Sequence, residues 1–246
     1  MEPRGWPAYV AEFVGTFLLV FFVCTIVTVN SPGGLGVTDF AVIGLVHAFV
    51  LAMLIYTLGG TSGGHFNPAV TTALAAVRKI RVGDALVYIA VQLAGGIAGA
   101  LVTKVLLLDE GRGAVHYGAV SVSEKFLQGR ALPGLLAEVI GTFVLMWAIM
   151  GCAVNPRGQR EWAGLVIGFA LGLAVMALAP LTGAGLNPAR ALGPALAGDF
   201  FNGGGTFLLV YVAGPVIGAL VAALVYRFVV IVPADRVGER PVDTYA

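Results

Sequence analysis

The chain has 246 residues, of which 59% are hydrophobic and 11% charged, and its mean hydropathy is +0.94. A soluble domain carries about a quarter charged residues, so the composition excludes a water-soluble globule. A net charge of +1 gives no electrostatic basis for binding nucleic acid. Cys24 and Cys152 both lie inside apolar runs and read as small core residues rather than a disulfide or a metal site.

At the N-terminus, Met1 to Pro7 is too short for a cleavable leader, and the first span is expected to stay in place as its own insertion signal. Crossing a hydrocarbon core takes about 20 apolar residues of helix. Six runs meet that length, at 8–29, 40–58, 84–108, 132–154, 162–180 and 206–231. Two shorter runs, 68–77 and 188–198, remain. Each would make about 15 Å of helix, half the apolar thickness. Nine basic residues (Arg4, Arg78, Lys79, Arg81, Arg157, Arg160, Arg227, Arg236 and Arg240) fall on one side of six crossings, and four (Lys104, Arg112, Lys125 and Arg130) on the other. The richer side is expected to be cytoplasmic and to hold both termini. The connection 109–131 is then extracellular, and Gly111 to Ser123, which show no period, are expected to be loop.

One short stretch occurs twice. Thr61-Ser62-Gly63-Gly64-His65-Phe66-Asn67-Pro68-Ala69-Val70 is echoed 120 residues later by Leu181-Thr182-Gly183-Ala184-Gly185-Leu186-Asn187-Pro188-Ala189-Arg190. Asn then Pro is a helix start, because the Asn side chain caps free N–H groups and Pro loses no hydrogen bond in the first turn. Ala11-Glu12-Phe13-Val14-Gly15-Thr16-Phe17 likewise recurs at Ala137-Glu138-Val139-Ile140-Gly141-Thr142-Phe143, 126 residues on. Each half, 8–108 and 132–231, holds three crossings; three is odd, so the halves are inverted relative to each other. The expected fold is one all-α transmembrane domain over 1–246, with six spanning helices and two re-entrant half-helices that meet in mid-membrane.

Irregular backbone before each half-helix must be buried in protein or line water. Glu12 and Glu138 are lone intramembrane acids at matching positions. Ion coupling is one reading, and bracing of the loops is the favoured one, since two symmetric loops need two symmetric braces. Two helix N-termini at the midplane bring about half a positive charge each. Asn67 and Asn187 would cap through oxygen and leave their NH₂ donors in the lumen, orienting a water so that it relays no proton. Arg190 opposes the dipole of its own helix and has no acid nearby in sequence, which points to a pore-facing role. Gly95 with Gly99, Gly168 with Gly172, and Gly214 with Gly218 have the spacing of close helix packing.

Together the two Asn-Pro-Ala motifs, the Ala-Glu-x-x-Gly-Thr-Phe repeat, Ser62 to Val70 and Gly214-Pro215 resemble the aquaporin, or major intrinsic protein, family over residues 8–230. The resemblance implies a pore waist at Asn67, Pro68, Ala69, Asn187, Pro188 and Ala189, and a selectivity filter at His47, Val175, Ala184 and Arg190. It places Gly63, Gly64, His65, Thr182, Gly183 and Gly185 along the lumen and vestibule, mostly through carbonyls. The filter is similar to that of tonoplast aquaporins, several of which also pass ammonia, urea or peroxide. Family glycerol channels carry Asp after the motif's Arg and Lys four residues further on, where this chain has Ala191 and Ala195. The resemblance also implies a homotetramer, which the small-residue faces support weakly.

The expected function is passive conduction of water, with small neutral solutes as candidates, in a plasma or inner membrane, without cofactor or metal. A glycerol or small-solute facilitator is the alternative. An ion-coupled transporter would need more midplane acids than the two glutamates. An enzyme would need a cluster that His47, His65 and His116 do not make.

Overall fold

A computed structural model describes residues 3–30, 35–108 and 115–232. Its long helices are α1 (Trp6–Val29), α2 (Val37–Ser62), α4 (Val82–Leu106), α6 (Ala131–Ile149) and α7 (Ala163–Thr182). The half-helices are α3 (Pro68–Ala76) and α8 (Pro188–Ala197). A short α5 (Glu124–Leu127) precedes α6; α9 (Gly204–Phe207) and α10 (Gly214–Val225) lie within one final span, Gly204–Ile231. Among the described residues six helices are thus long and apolar enough to cross a membrane, and α3 and α8 are not. The protein is an all-helical, multi-pass integral membrane protein.

The ends of these helices follow from local chemistry. α2 and α7 stop at Gly63 and Gly183, whose φ of 93° and 78° suit glycine, and each N–H closes onto the carbonyl four residues back. Asn67 and Asn187 are extended, with φ of −153° and −156°, and their side chains accept from the N–H groups of Ala69 and Ala189, starting α3 and α8. The final span widens to π-type turns over Leu208–Ala213, just ahead of Pro215. A proline has no N–H and crowds the carbonyl behind it, and a wider turn relieves both.

α1 packs on α4 and α2, α2 on α7, and α6 on α10 and α7, while α3 lies against α10 and α8 against α4. Each half-helix therefore rests on a span of the other half. All three glycine pairs sit where backbones touch. A Cβ on Gly95 or Gly99 would lie 2.4 or 2.5 Å from the carbonyls of Phe13 or Phe17 of α1, and one on Gly218 would lie 2.2 Å from that of Val139 in α6. Gly168 and Gly172 meet α2 in the same way. These faces are spent inside the chain, so they give no support to a tetramer. Outward-facing side chains such as Phe49, Leu106, Val105 and Leu173 are large and apolar, as lipid requires.

The connection after α4 departs from the expected plain loop. Residues 109–114 lie outside the described residues, but beyond them come a 3₁₀ turn at His116–Gly118 and then α5. Tyr117 is buried and His116, Tyr117 and Gly118 all have positive φ, of 42°, 57° and 82°. This strap is held by packing that has no period to be read.

Gly218→Val is expected to push α10 off α6 and lower the thermal unfolding midpoint of detergent-solubilised protein by several degrees, whereas Gly83→Ala, with open space around it, leaves the midpoint unchanged or slightly higher.

Candidate conduction site

Between α2 and α3 the backbone is irregular at membrane depth, and its N–H groups need acceptors. Glu12 of α1 supplies them. Its Oε1 accepts from Ser62 Oγ at 2.6 Å and His65 N at 2.9 Å, and its Oε2 from Phe66 N at 2.7 Å and Gln92 Nε2 at 2.7 Å. Ser62 Oγ in turn accepts from Gly64 N, and the Ser62 carbonyl from Tyr88 Oη. The carboxylate is fully buried, yet four donors surround it. Gly15, one turn along α1, has no side chain because the Phe66 ring fills that place, 2.1 Å from where a Cβ would be.

The second loop repeats this with three of the four donors. Glu138 Oε1 accepts from Thr182 Oγ1 at 2.7 Å and Gly185 N at 2.9 Å, and Oε2 from Leu186 N at 2.6 Å. Ala184 N donates to Thr182 Oγ1 and Tyr211 Oη to the Thr182 carbonyl, while Gly141 makes room for Leu186. Backbone conformation matches as well: Gly63, Gly64 and Phe66 have positive φ, as do Gly183, Ala184 and Leu186. One donor has no counterpart. Gln92, which also donates to Thr71 Oγ1, lies 123 residues before Pro215, the interval that separates Tyr88 from Tyr211.

The two loops meet tip to tip. Asn67 Nδ2 donates to the Leu186 carbonyl and Asn187 Nδ2 to the Phe66 carbonyl, both at 2.9 Å. Each amide thus caps its own half-helix through oxygen and ties the opposite loop through nitrogen. The expectation that the NH₂ donors face the lumen holds for only part of each group: one hydrogen of each is used in the tie to the opposite loop.

Around this crossing runs a narrow cavity of about 30 Å³, lined by Asn67, Asn187, Gly64, His65, Gly185, His47 and Arg190 and by apolar residues of α1, α2, α6 and α7. Arg190 also lines a second, larger cavity of about 240 Å³, together with Gly183, Gly118 and Ser121. Arg190 is buried; its Nη1 donates to the Gly118 carbonyl at 2.8 Å and its Nε has no partner. His47 Nδ1 stands 2.8 Å from the Ile43 carbonyl. A carbonyl only accepts, so Nδ1 carries the hydrogen and Nε2 of the neutral ring is an acceptor, which is also unpartnered. A free donor and a free acceptor therefore line the same cavity.

Other predicted positions fall elsewhere. Val175 and Ala184 are buried in the apolar core and do not line the cavity. Thr182 belongs with the loop braces, since its hydroxyl and carbonyl are both engaged, and the expectation that it lines the lumen is corrected. Pro68, Ala69, Pro188 and Ala189 are buried in the half-helix starts, and Gly63 caps α2. His65 Nδ1 lies 3.1 Å from Thr71 Oγ1, with its ring edge-on to Tyr88. Sequence reasoning missed Tyr88, Gln92 and Tyr211, as well as Gly118. The Ser62/Thr182 correspondence was visible in the repeat; the tyrosines and Gln92 sit on helices with no motif around them.

Comparison with known proteins agrees with this geometry. The family model for major intrinsic proteins matches residues 2–226. Aquaporin AqpM of Methanothermobacter marburgensis is 38% identical over 239 residues, covering 89% of this chain and 95% of that one. The glycerol uptake facilitator protein-like 6 of Lactiplantibacillus plantarum is also 38% identical, over 221 residues, covering 89% and 96%. The fold resembles that of the aquaglyceroporin from Plasmodium falciparum, with a TM-score of 0.79 at 23% identity, over 94% of this chain and 98% of that one. The chain belongs to the major intrinsic protein family of membrane channels.

Glu138→Gln is expected to turn one acceptor oxygen into a donor facing a buried N–H. It should cost about 1–3 kcal/mol of stability, read as a lower midpoint in thermal unfolding, with Glu12→Gln falling in the same range.

Proposed function

We propose that the protein is a passive channel that conducts water and excludes protons and ions. Ammonia, urea and hydrogen peroxide are the further solutes its filter suits. The observation that carries this reading is the cavity at the crossing of Asn67 and Asn187, wide enough for water-sized solutes and framed by two helix starts. The positive ends of α3 and α8 act on whatever stands there, and a cation would face both dipoles and its own dehydration. A water at the waist accepts from the remaining amide hydrogens of the two asparagines. Its own hydrogens then point away to either side, which breaks the donor chain that a proton needs.

Arg190 and His47 form the filter in this reading. A passing water gives a hydrogen to His47 Nε2 and accepts one from Arg190 Nε, recovering part of its lost hydration. Ammonia and urea carry both a donor and an acceptor and fit the same pair. Ala191 and Ala195, where family glycerol channels carry Asp and Lys, are fully buried among apolar neighbours. That favours water over glycerol. The basic-residue count supports cytoplasmic termini in a plasma or inner membrane, with 109–131 outside and residues 1–246 as one channel domain; the family resemblance supports a homotetramer.

Reconstituted protein is expected to speed osmotic shrinkage of proteoliposomes in stopped flow, with a low temperature dependence and no need for an ion gradient. Shrinkage no faster than bare lipid would overturn the reading. Arg190→Val, which takes a cation and most of a long side chain out of the constriction, should raise leakage of larger or charged solutes such as glycerol and sodium in the same vesicles; unchanged selectivity would count against its filter role. His47→Phe should suppress ammonia and urea flux and spare water; if all three fall together, His47 is structural only.

A further inference from the structure

The proposed filter depends on where the guanidinium of Arg190 is held, and among the described residues its one partner is the Gly118 carbonyl. That carbonyl lies in a strained strap. His116 and Tyr117 are two successive non-glycine residues in the left-handed region, which few side chains adopt without outside support. The support comes from several sides. The Tyr117 ring is buried in a cluster with Val20, Cys24, Ala100 and Ala197, and its hydroxyl donates to the Leu108 carbonyl at 3.1 Å. His116 stacks on Phe200 at 4.3 Å.

Lys104, near the end of α4, joins the strap to the half-helix. Its Nζ donates to the Ala197 carbonyl at 2.6 Å and lies over the Tyr117 ring, 5.6 Å from its centroid. Ala197 is the last residue of α8, and Arg190 stands in the first turn of the same helix. The contacts therefore close a ring: Arg190 to Gly118, Tyr117 beside it, Lys104 under Tyr117, Ala197 above Lys104, and α8 back to Arg190. A cation at a helix C-terminus also satisfies carbonyls and complements the dipole there.

We propose that Lys104 is a positioning residue for selectivity: by clamping the strap to the end of α8 it fixes the Gly118 carbonyl, and through it the guanidinium of Arg190. This rests on the channel reading above and goes beyond it by assigning filter width to a residue outside the lumen. The structure contains its own control. Arg227, at the other end of the final span, donates to the Val77 carbonyl at the end of α3. It caps the first half-helix as Lys104 caps the second, but on the opposite face, away from Gly118 and Arg190.

The test measures water, urea and glycerol permeabilities of the full chain in the same proteoliposomes. Lys104→Met and Tyr117→Leu are each expected to raise the urea-to-water and glycerol-to-water ratios about fivefold, the factor set by the net worth of one hydrogen bond, with water flux per channel unchanged. Lys104→Arg should keep the wild-type ratios, and Arg227→Met should leave them unchanged. The double variant Lys104→Met/Tyr117→Leu should not exceed the larger single effect, because both act through one carbonyl. Wild-type ratios in both single variants, with water flux intact, would overturn the proposal. So would an equal rise in Arg227→Met, which would trace the effect to helix capping alone. If Lys104→Met yields no folded protein, Tyr117→Leu, which leaves the cap on Ala197 in place, carries the test. Wild-type protein that conducts no water would defeat the channel reading itself, a result distinct from any of these.

Discussion

Peptide groups outside regular helix cannot be left bare in a membrane interior, and two stretches of this chain put such groups at half depth. Everything else in the fold serves that constraint. Glu12 and Glu138 each collect the N–H groups of one loop on a single carboxylate. A charge buried in this way is tolerable only when it is fully hydrogen-bonded. The acid lies one turn from a glycine that admits the tip of the loop it braces, and this explains why Glu-x-x-Gly recurs as a unit. A proton-coupling acid would need an exchange path to water. These two have their oxygens occupied by donors from the protein, which is the arrangement of a brace.

The second consequence is that neither half stands alone. α3 lies on α10 and α8 on α4, each asparagine ties the opposite loop, and the carbonyl ends of the half-helices are capped by Arg227 and Lys104 from the opposite half. Removing one half would leave the other with an uncapped half-helix and one unsatisfied loop carbonyl. The crossing is thus rigid because it is shared, and a narrow passage needs that rigidity to keep its width.

Much of this was legible in the sequence for a definite reason. Length and hydropathy report on lipid directly, so the six spans and the two half-length runs stood out within a few residues of their ends. Asn-Pro announces a helix start through local chemistry, and the duplicated loop announces symmetry. The strap at His116–Gly118 was not legible, because burial of Tyr117 and left-handed backbone at two non-glycine residues arise from tertiary contacts alone. Nor were Tyr88, Tyr211 and Gln92, which are single polar residues on apolar helices. The double use of each asparagine amide was also hidden, since nothing within one loop tells where the other will sit. The glycine pairs were legible as packing faces, but whether they pack within or between chains is decided by the topology.

The lumen itself is built by the same two-fold symmetry, and the proposed filter lies where that symmetry is broken. Most of its lining residues pair off at the intervals of the repeat: Leu19 with Leu145, Leu51 with Leu171, Asn67 with Asn187, His65 with Gly185, His47 with Ile167 and Val70 with Arg190. The first three pairs are identical and make the shared scaffold. The other three differ in kind: His65 lines the cavity opposite a glycine, and the last two pairs both place their polar member at the opposite end of the passage. There His47 offers an acceptor and Arg190 a donor, while the mirror positions Ile167 and Val70 at the other end offer neither. In the proposed reading a solute therefore meets the His47–Arg190 pair on one side of a symmetric waist. The symmetry solves the problem of holding bare backbone in a membrane, and the proposed filter is built from substitutions against it.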